Sequence, residues 1–136
     1  MDILTPEERS ARMSRVRGRD TKPEMFVRRV AHCMGYRFRL HRRELPGVPD
    51  LVFPSRRKVI FVHGCFWHRH SDPDCRLARM PKSRLDFWVT KLENNRKRDE
   101  IHLTRLADLG WESLVIWECQ IRDRETLQAR IREFLK

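Results

Sequence analysis

Apolar positions change period several times along this chain, and each change marks an element. Phe26, Val27, Val30, Ala31 and Met34 form the one-sided stripe of an amphipathic helix. Thr21-Lys22-Pro23-Glu24 supplies a capping box for its start, and Gly35 a stop. Cys33 falls inside this stretch and reads as a buried thiol. The period then drops to two: Tyr36, Phe38 and Leu40 alternate with Arg37, Arg39 and His41, as in a half-buried strand. The turn Pro46-Gly47-Val48-Pro49 leads into a short strand, Asp50-Leu51-Val52-Phe53. Pro54 to Arg57 reverses the chain, and Lys58-Val59-Ile60-Phe61-Val62 reads as a central strand.

The second half follows the same logic. Leu85, Phe87, Trp88 and Leu92 mark a helix capped by Ser83 and Asp86 and ending near Asn94. A further helical pattern covers Arg96 to Leu109 and stops at Gly110. Trp111 to Cys119 is a buried strand, and a last helix from Arg124 presents Leu127, Ile131, Phe134 and Leu135. At the N-terminus, Thr5-Pro6-Glu7-Glu8 caps a helix from Pro6 to Val16. Its face carries Arg9, Arg12 and Arg15 but little apolar surface, so residues 1–20 read either as a basic arm that lies on a partner or as a solvated charged helix. The order of elements predicts a single α/β domain over residues 1–136, a mixed sheet with helices on both faces.

Charge narrows the function. Thirty Lys and Arg against nineteen Asp and Glu give a net +11, the balance of a protein whose partner is a polyanion. Hydrophobic residues at 40% and periodic argue for a packed core rather than a disordered basic chain. No apolar run approaches the ~20 residues that span a bilayer, and no secretory leader pattern opens the chain. The expectation is a cytoplasmic protein, with no membrane partner and with reduced cysteines that serve as metal ligands rather than disulfides.

Candidate chemistry concentrates in His63-Gly64-Cys65-Phe66-Trp67-His68-Arg69-His70, followed by Cys75. Cys65, His70 and Cys75 offer three zinc-type ligands on one polar loop, and Cys119 at a strand end is the candidate fourth. His68, at Cys-x2-His spacing, competes with His70, and spacing alone leaves that choice open. The second constellation is hydrolytic. Asp50 follows a Pro-Gly turn at a strand start, and the Val62 carbonyl ends the neighbouring strand, an arrangement that can hold a divalent cation beside a phosphate. His63 and His68 bracket the same point as candidate proton acceptors, and Asp99 on a later helix can orient one of them. Each has a bland alternative: Asp50 as a hairpin cap, Glu24 as a capping-box member only, Asp99 as one charge on a solvated helix.

Several segments together resemble the very short patch repair (Vsr) endonucleases. They are Leu45 to Asp50, Val62 to His68, Phe87-Trp88, Asn95 to Asp99, Gly110-Trp111 and Val115 to Cys119, with Arg12-Met13, Arg19 to Thr21 and Glu24 near the N-terminus. The resemblance implies a restriction-endonuclease-like fold with a structural Zn²⁺ on Cys65, His70, Cys75 and Cys119. It implies catalytic Mg²⁺ held by Asp50 and the Val62 carbonyl, His68 as general base, His63 at the phosphate, and Glu24 and Asp99 in support. Phe66 and Trp67 would wedge into the base stack, with Met13 approaching from the other groove. The implied activity is Mg²⁺-dependent nicking of duplex DNA 5′ to the mispaired T of a T:G mismatch left by 5-methylcytosine deamination. A monomer acting at the bacterial nucleoid, alongside mismatch-repair proteins, goes with that reading. Two alternatives are a restriction-type or other strand-specific nuclease and a non-catalytic zinc-stabilised DNA-binding module. This chain departs from the family pattern at Val62, where a threonine is expected, and in a longer loop before Cys75.

Overall fold

The structure is a computed structural model that describes residues 20–136. The predicted Pro6–Val16 helix and Met13 lie outside the described residues. The capping box forms as read: Glu24 N donates to Thr21 Oγ1 at 3.4 Å and opens helix α1, Lys22–Cys33. Gly35 ends this segment at φ +90°, a left-handed conformation in which glycine carries no Cβ penalty. Val27, Val30 and Ala31 are buried. Cys33, expected to be buried, is exposed instead. The stripe runs through positions 27, 30, 31 and 34, and residue 33 falls off it.

The predicted Tyr36–Leu40 strand shortens to β1, Arg39–Leu40, because its partner β2 spans only Leu51–Phe53. Tyr36 and Phe38 pack edge-on against Phe53 instead, with ring centroids 6.5 and 5.9 Å away. The central strand β3, Lys58–His63, is antiparallel to β2 and parallel to β4, Glu112–Trp117. The sheet order is β1-β2-β3-β4. A parallel pair needs a long crossover, and here the His/Cys loop and helix α2, Leu85–Asp108, provide it.

Two expectations about α2 are corrected. The helices expected to break near Asn94 are one continuous helix of 24 residues. No Gly or Pro separates Asn94 from Arg96, and asparagine alone is too weak a breaker to stop a helix packed on a sheet. Nor do Ser83 and Asp86 cap it. Arg84 is the cap residue, at φ +55° with no side-chain cap bond. The last predicted strand ends early, at Trp117, and a 3₁₀ turn, Glu118–Gln120, carries Cys119. Helix α3, Arg124–Leu135, starts on Asp123, which accepts from Glu125 N at 3.1 Å and Thr126 N at 3.4 Å.

Period-two alternation sorts the strand residues between two layers. Leu51, Phe53, Ile60 and Ile116 meet Val27, Val30 and Ala31 of α1 and Leu127, Ile131 and Leu135 of α3. Val52, Val59 and Phe61 face the other way, onto Leu103 and Leu106 of α2. Each fully buried aliphatic side chain contributes about 1.5–3 kcal/mol. Both faces of the sheet are therefore sealed, and polar chemistry is confined to the sheet's end. There β2 begins and β3 and β4 finish.

Candidate active site

The turn before β2 delivers Asp50 to that end. Gly47 and Val48 both adopt left-handed backbone, φ +77° and +48°. A Cβ on Gly47 would lie 3.0 Å from His102 Cβ, so only glycine lets the turn close against α2. Asp50 Oδ2 then accepts a hydrogen bond from Val62 N at 2.7 Å. The N–H and C=O of one strand residue point to the same side, so the Val62 carbonyl faces the gap that Asp50 occupies. Burial pushes the Asp50 carboxyl up to about 8; the Val62 amide opposes this, and neighbouring Glu24 adds to it.

Glu24, buried in the first turn of α1, does more than cap. Its Oε1 accepts from Asp20 N at 3.3 Å, while Oε2 ion-pairs with Arg28 and lies 3.0 Å from His41 Nε2. His41 Nε2 is also 3.7 Å from Asp50 Oδ1.

His63 and His68 stack face to face, centroids 3.9 Å apart and planes within 4°. His63 is only 6% exposed, and burial, reinforced by His68, pushes its pKa down to about 3. It is a neutral ring at physiological pH. His68 Nδ1 lies 2.6 Å from Asp99 Oδ2 on α2. A carboxylate at Nδ1 fixes the tautomer and leaves Nε2 as the proton acceptor, the arrangement of a base held by an orienting acid. Asp50, Val62, His63, His68, Glu24 and Asp99 all line one open cleft of about 1260 Å³, with Lys22, Arg43 and Arg98 also on its walls.

Beside this cleft, Cys65, His70, Cys75 and Cys119 each offer one donor atom within 4.8 Å of the others. Zinc bonds of about 2.3 Å to sulfur and about 2.1 Å to nitrogen define a tetrahedron with edges of about 3.6 Å. Cys119 Sγ and His70 Nδ1, 3.5 Å apart, match such an edge. Burial pushes the Cys65 thiol up to about 12, with Cys75 and Cys119 contributing. A soft dication bound among these groups would reverse that, since coordinating thiols deprotonate. The donor set fits the zinc class. Arg69, between His68 and His70, is left-handed, φ +50°, and sends the two imidazoles apart. His70 turns to the cysteines, where its ring stacks on Trp117 with centroids 4.3 Å apart. His68 turns to Asp99.

Phe66 and Trp67, between the two constellations, are half-buried. Their rings lie 5.3 and 6.0 Å from Trp88 of α2. Asn95 Nδ2 donates to the Trp67 carbonyl at 3.1 Å. The pair is thus held from the helix side.

A family model described as DNA mismatch endonuclease Vsr matches residues 1–76, more than half of the chain. The chain belongs to the Vsr family of DNA mismatch endonucleases. It is 53% identical over 134 residues to a type II nicking enzyme, V.XorIIP, of Xanthomonas oryzae, covering 98% of this chain and 96% of that one. It is 40% identical over 126 residues to the DNA mismatch endonuclease Vsr of Escherichia coli, covering 93% and 79%. A nicking enzyme of Neisseria meningitidis, V.NmeAIP, is 35% identical over 135 residues, 99% and 94%. The protein is accordingly an endonuclease acting on DNA.

Sequence reasoning missed three residues in or beside this Vsr-family cleft. Arg28, four positions after Glu24, was legible as a helical ion pair. His102, one turn beyond Asp99, packs on the Gly47 turn, and burial lowers its pKa. His41 appeared only as a polar position in an alternating strand. Its contact with Glu24 crosses 17 residues, and no local pattern signals it.

Proposed function

We propose that the protein nicks duplex DNA 5′ to the mispaired T of a T:G mismatch by Mg²⁺-dependent phosphodiester hydrolysis, the first step of very short patch repair. The observation that supports this most is the convergence of Asp50, the Val62 backbone and the His68–Asp99 pair in one cation-walled cleft. Asp50 and the Val62 carbonyl would hold Mg²⁺. The fit rests on one carboxylate and one carbonyl in an open cleft, which leaves the other positions to water and phosphate, as this ion prefers. When bound, that ion supplies charge neutralisation at the scissile phosphate and a more acidic water.

The remaining work falls to side chains. His68 Nε2 takes the proton as the water oxygen attacks phosphorus and the P–O3′ bond breaks, the leaving 3′-oxygen taking a proton from solvent, and Asp99 stabilises the resulting imidazolium. His63, neutral and stacked on His68, faces the phosphate without adding a competing charge. Glu24 supports Asp50 through the shared His41 and Arg28 network. The second centre holds Zn²⁺ on Cys65, His70, Cys75 and Cys119, and so fixes the loop that carries His68. The frame is read as restriction-endonuclease-like, one domain working as a monomer, with the arm of residues 1–20 and Met13 on the DNA.

Selectivity follows from stacking. A wobble pair stacks poorly, so prying open its step costs less than prying open a matched one. Phe66 and Trp67 would make that insertion. In an assay with plasmid-length duplexes carrying T:G, A:T or G:C at one site, nicking should be confined to T:G and vanish without Mg²⁺. Cutting of matched duplex would instead indicate a restriction-type nuclease, and binding without cleavage a DNA-binding module. Phe66→Ala should lower the T:G preference about tenfold, ~1.4 kcal/mol, with little change in affinity for matched DNA. An unchanged preference in competitive nicking would remove the wedge role.

A further inference from the structure

We propose that His41 is a positioning residue that holds Glu24 and Asp50 in the geometry needed to bind the cleft's divalent cation. The inference rests on the assignment of Asp50 as the cation-binding carboxylate.

The first observation is geometric. The His41 side chain is 9% exposed and its Nε2 faces two carboxylates at once, Glu24 at 3.0 Å and Asp50 at 3.7 Å. The shorter contact is a hydrogen bond in which the imidazole donates, since an ionised carboxylate only accepts. The longer one lies beyond hydrogen-bond reach, at van der Waals contact distance. Glu24 comes from α1 and Asp50 from the start of β2, so His41, at the end of β1, ties three elements at one point.

The second observation is conformational. His41 adopts φ +46°, a left-handed backbone that a residue with a Cβ rarely takes. Such strain persists only where surrounding contacts over-determine it. An extended residue here would continue the strand and turn the imidazole away from the carboxylates.

The arrangement also excludes a simpler reading. Asp20, Glu24 and His41 offer donor atoms within 4.8 Å of one another, as a cation site would. Arg28 ion-pairs with both Asp20 and Glu24, so that corner is already neutralised by a guanidinium. His41 therefore acts toward Asp50 rather than as a ligand of a separate ion. One Asp50 oxygen is held by Val62 N, and the other is the one His41 faces. Without the imidazole, Glu24 Oε2 loses the donor that fixes it, and Asp50 Oδ1 loses the ring that packs beside it.

The test compares His41→Ala, His41→Gln and Asp50→Asn in the full-length, zinc-loaded protein. Outer partners of metal ligands typically contribute 10–100-fold to metal affinity. His41→Ala should raise the Mg²⁺ concentration for half-maximal nicking about tenfold. It should weaken Mn²⁺ binding to the DNA-free protein, measured by electron paramagnetic resonance, by a similar factor. Zinc content and melting temperature should stay near wild type. His41→Gln, which keeps an N–H donor, should recover most of both losses. Wild-type Mg²⁺ and Mn²⁺ dependence in His41→Ala overturns the proposal. So does loss of melting temperature in both variants with unchanged Mn²⁺ affinity, which marks a merely structural histidine. If Asp50→Asn still nicks, the assignment of Asp50 fails. If Asp50→Asn is dead while His41→Ala is normal, only the role of His41 fails.

Discussion

Asp50→Asn should reduce nicking by about 10³-fold or more while making the Mg²⁺-free protein more stable at alkaline pH. Both effects have one origin. The Asp50 carboxyl is pushed up to about 8 by burial, from an ordinary value of 3.8. Between those values the folded protein binds a proton that the unfolded chain does not. Stability therefore falls as pH rises from about 4 to about 8, because unfolding releases that proton and rising pH favours its release. Asparagine carries no charge to bury, and its Oδ1 still accepts from Val62 N, so it escapes this penalty. At pH 8 without Mg²⁺ the variant should melt higher than wild type, by about 4 °C for each kcal/mol relieved. At pH 4 the two should converge. A cation favours the charged carboxylate, so Mg²⁺ should raise the wild-type melting temperature most at high pH and leave the variant unmoved. Thermal melts at both pH values, with and without Mg²⁺, check the sign. A variant that unfolds, or that still nicks, would sink the assignment.

Cys119→Ala should cost the protein its metal and with it the activity. Four donors converge from a loop and from the turn after β4. Removing one leaves three ligands and a loop with few apolar contacts of its own. Zinc content should fall from about one per chain toward zero. Nicking should drop by about 10³-fold, because His68 and the Phe66–Trp67 pair ride on the same loop. Among the described residues, the core between the sheet and α1 and α3 draws no side chain from the segment 64–75. Far-ultraviolet circular dichroism should therefore stay close to wild type, with the aromatic signal lost. Retention of zinc in this variant would show that Cys119 is not a ligand. Global unfolding would show that the metal holds the whole domain rather than the loop.

The two centres were legible to different degrees. Cys65, Cys75 and one of His68 and His70 on one hydrophilic loop suggested a metal site by residue type and spacing. Cys119 followed from its place at a strand end. The competition between His68 and His70 was not decidable from spacing, because the left-handed turn at Arg69 sends the neighbouring imidazoles apart. Asp50 was marked by its turn and Glu24 by its capping box. That Glu24 also reaches His41 required α1 to lie beside the end of β1. Cys33 and the continuous α2 show the converse error, where a local pattern was trusted at a position that packing decides.

By itself, the sequence determined the helical stripes, the strand alternation, the basic charge and the residue types able to bind metal or move a proton. These depend on neighbours within a turn or two, where period and propensity act directly. Only the tertiary structure decided which carboxylate faces which imidazole. The Asp50–Val62, His68–Asp99 and Glu24–His41 contacts span 12, 31 and 17 residues. Their distances depend on how the sheet closes against helices on both sides, and no local period encodes that.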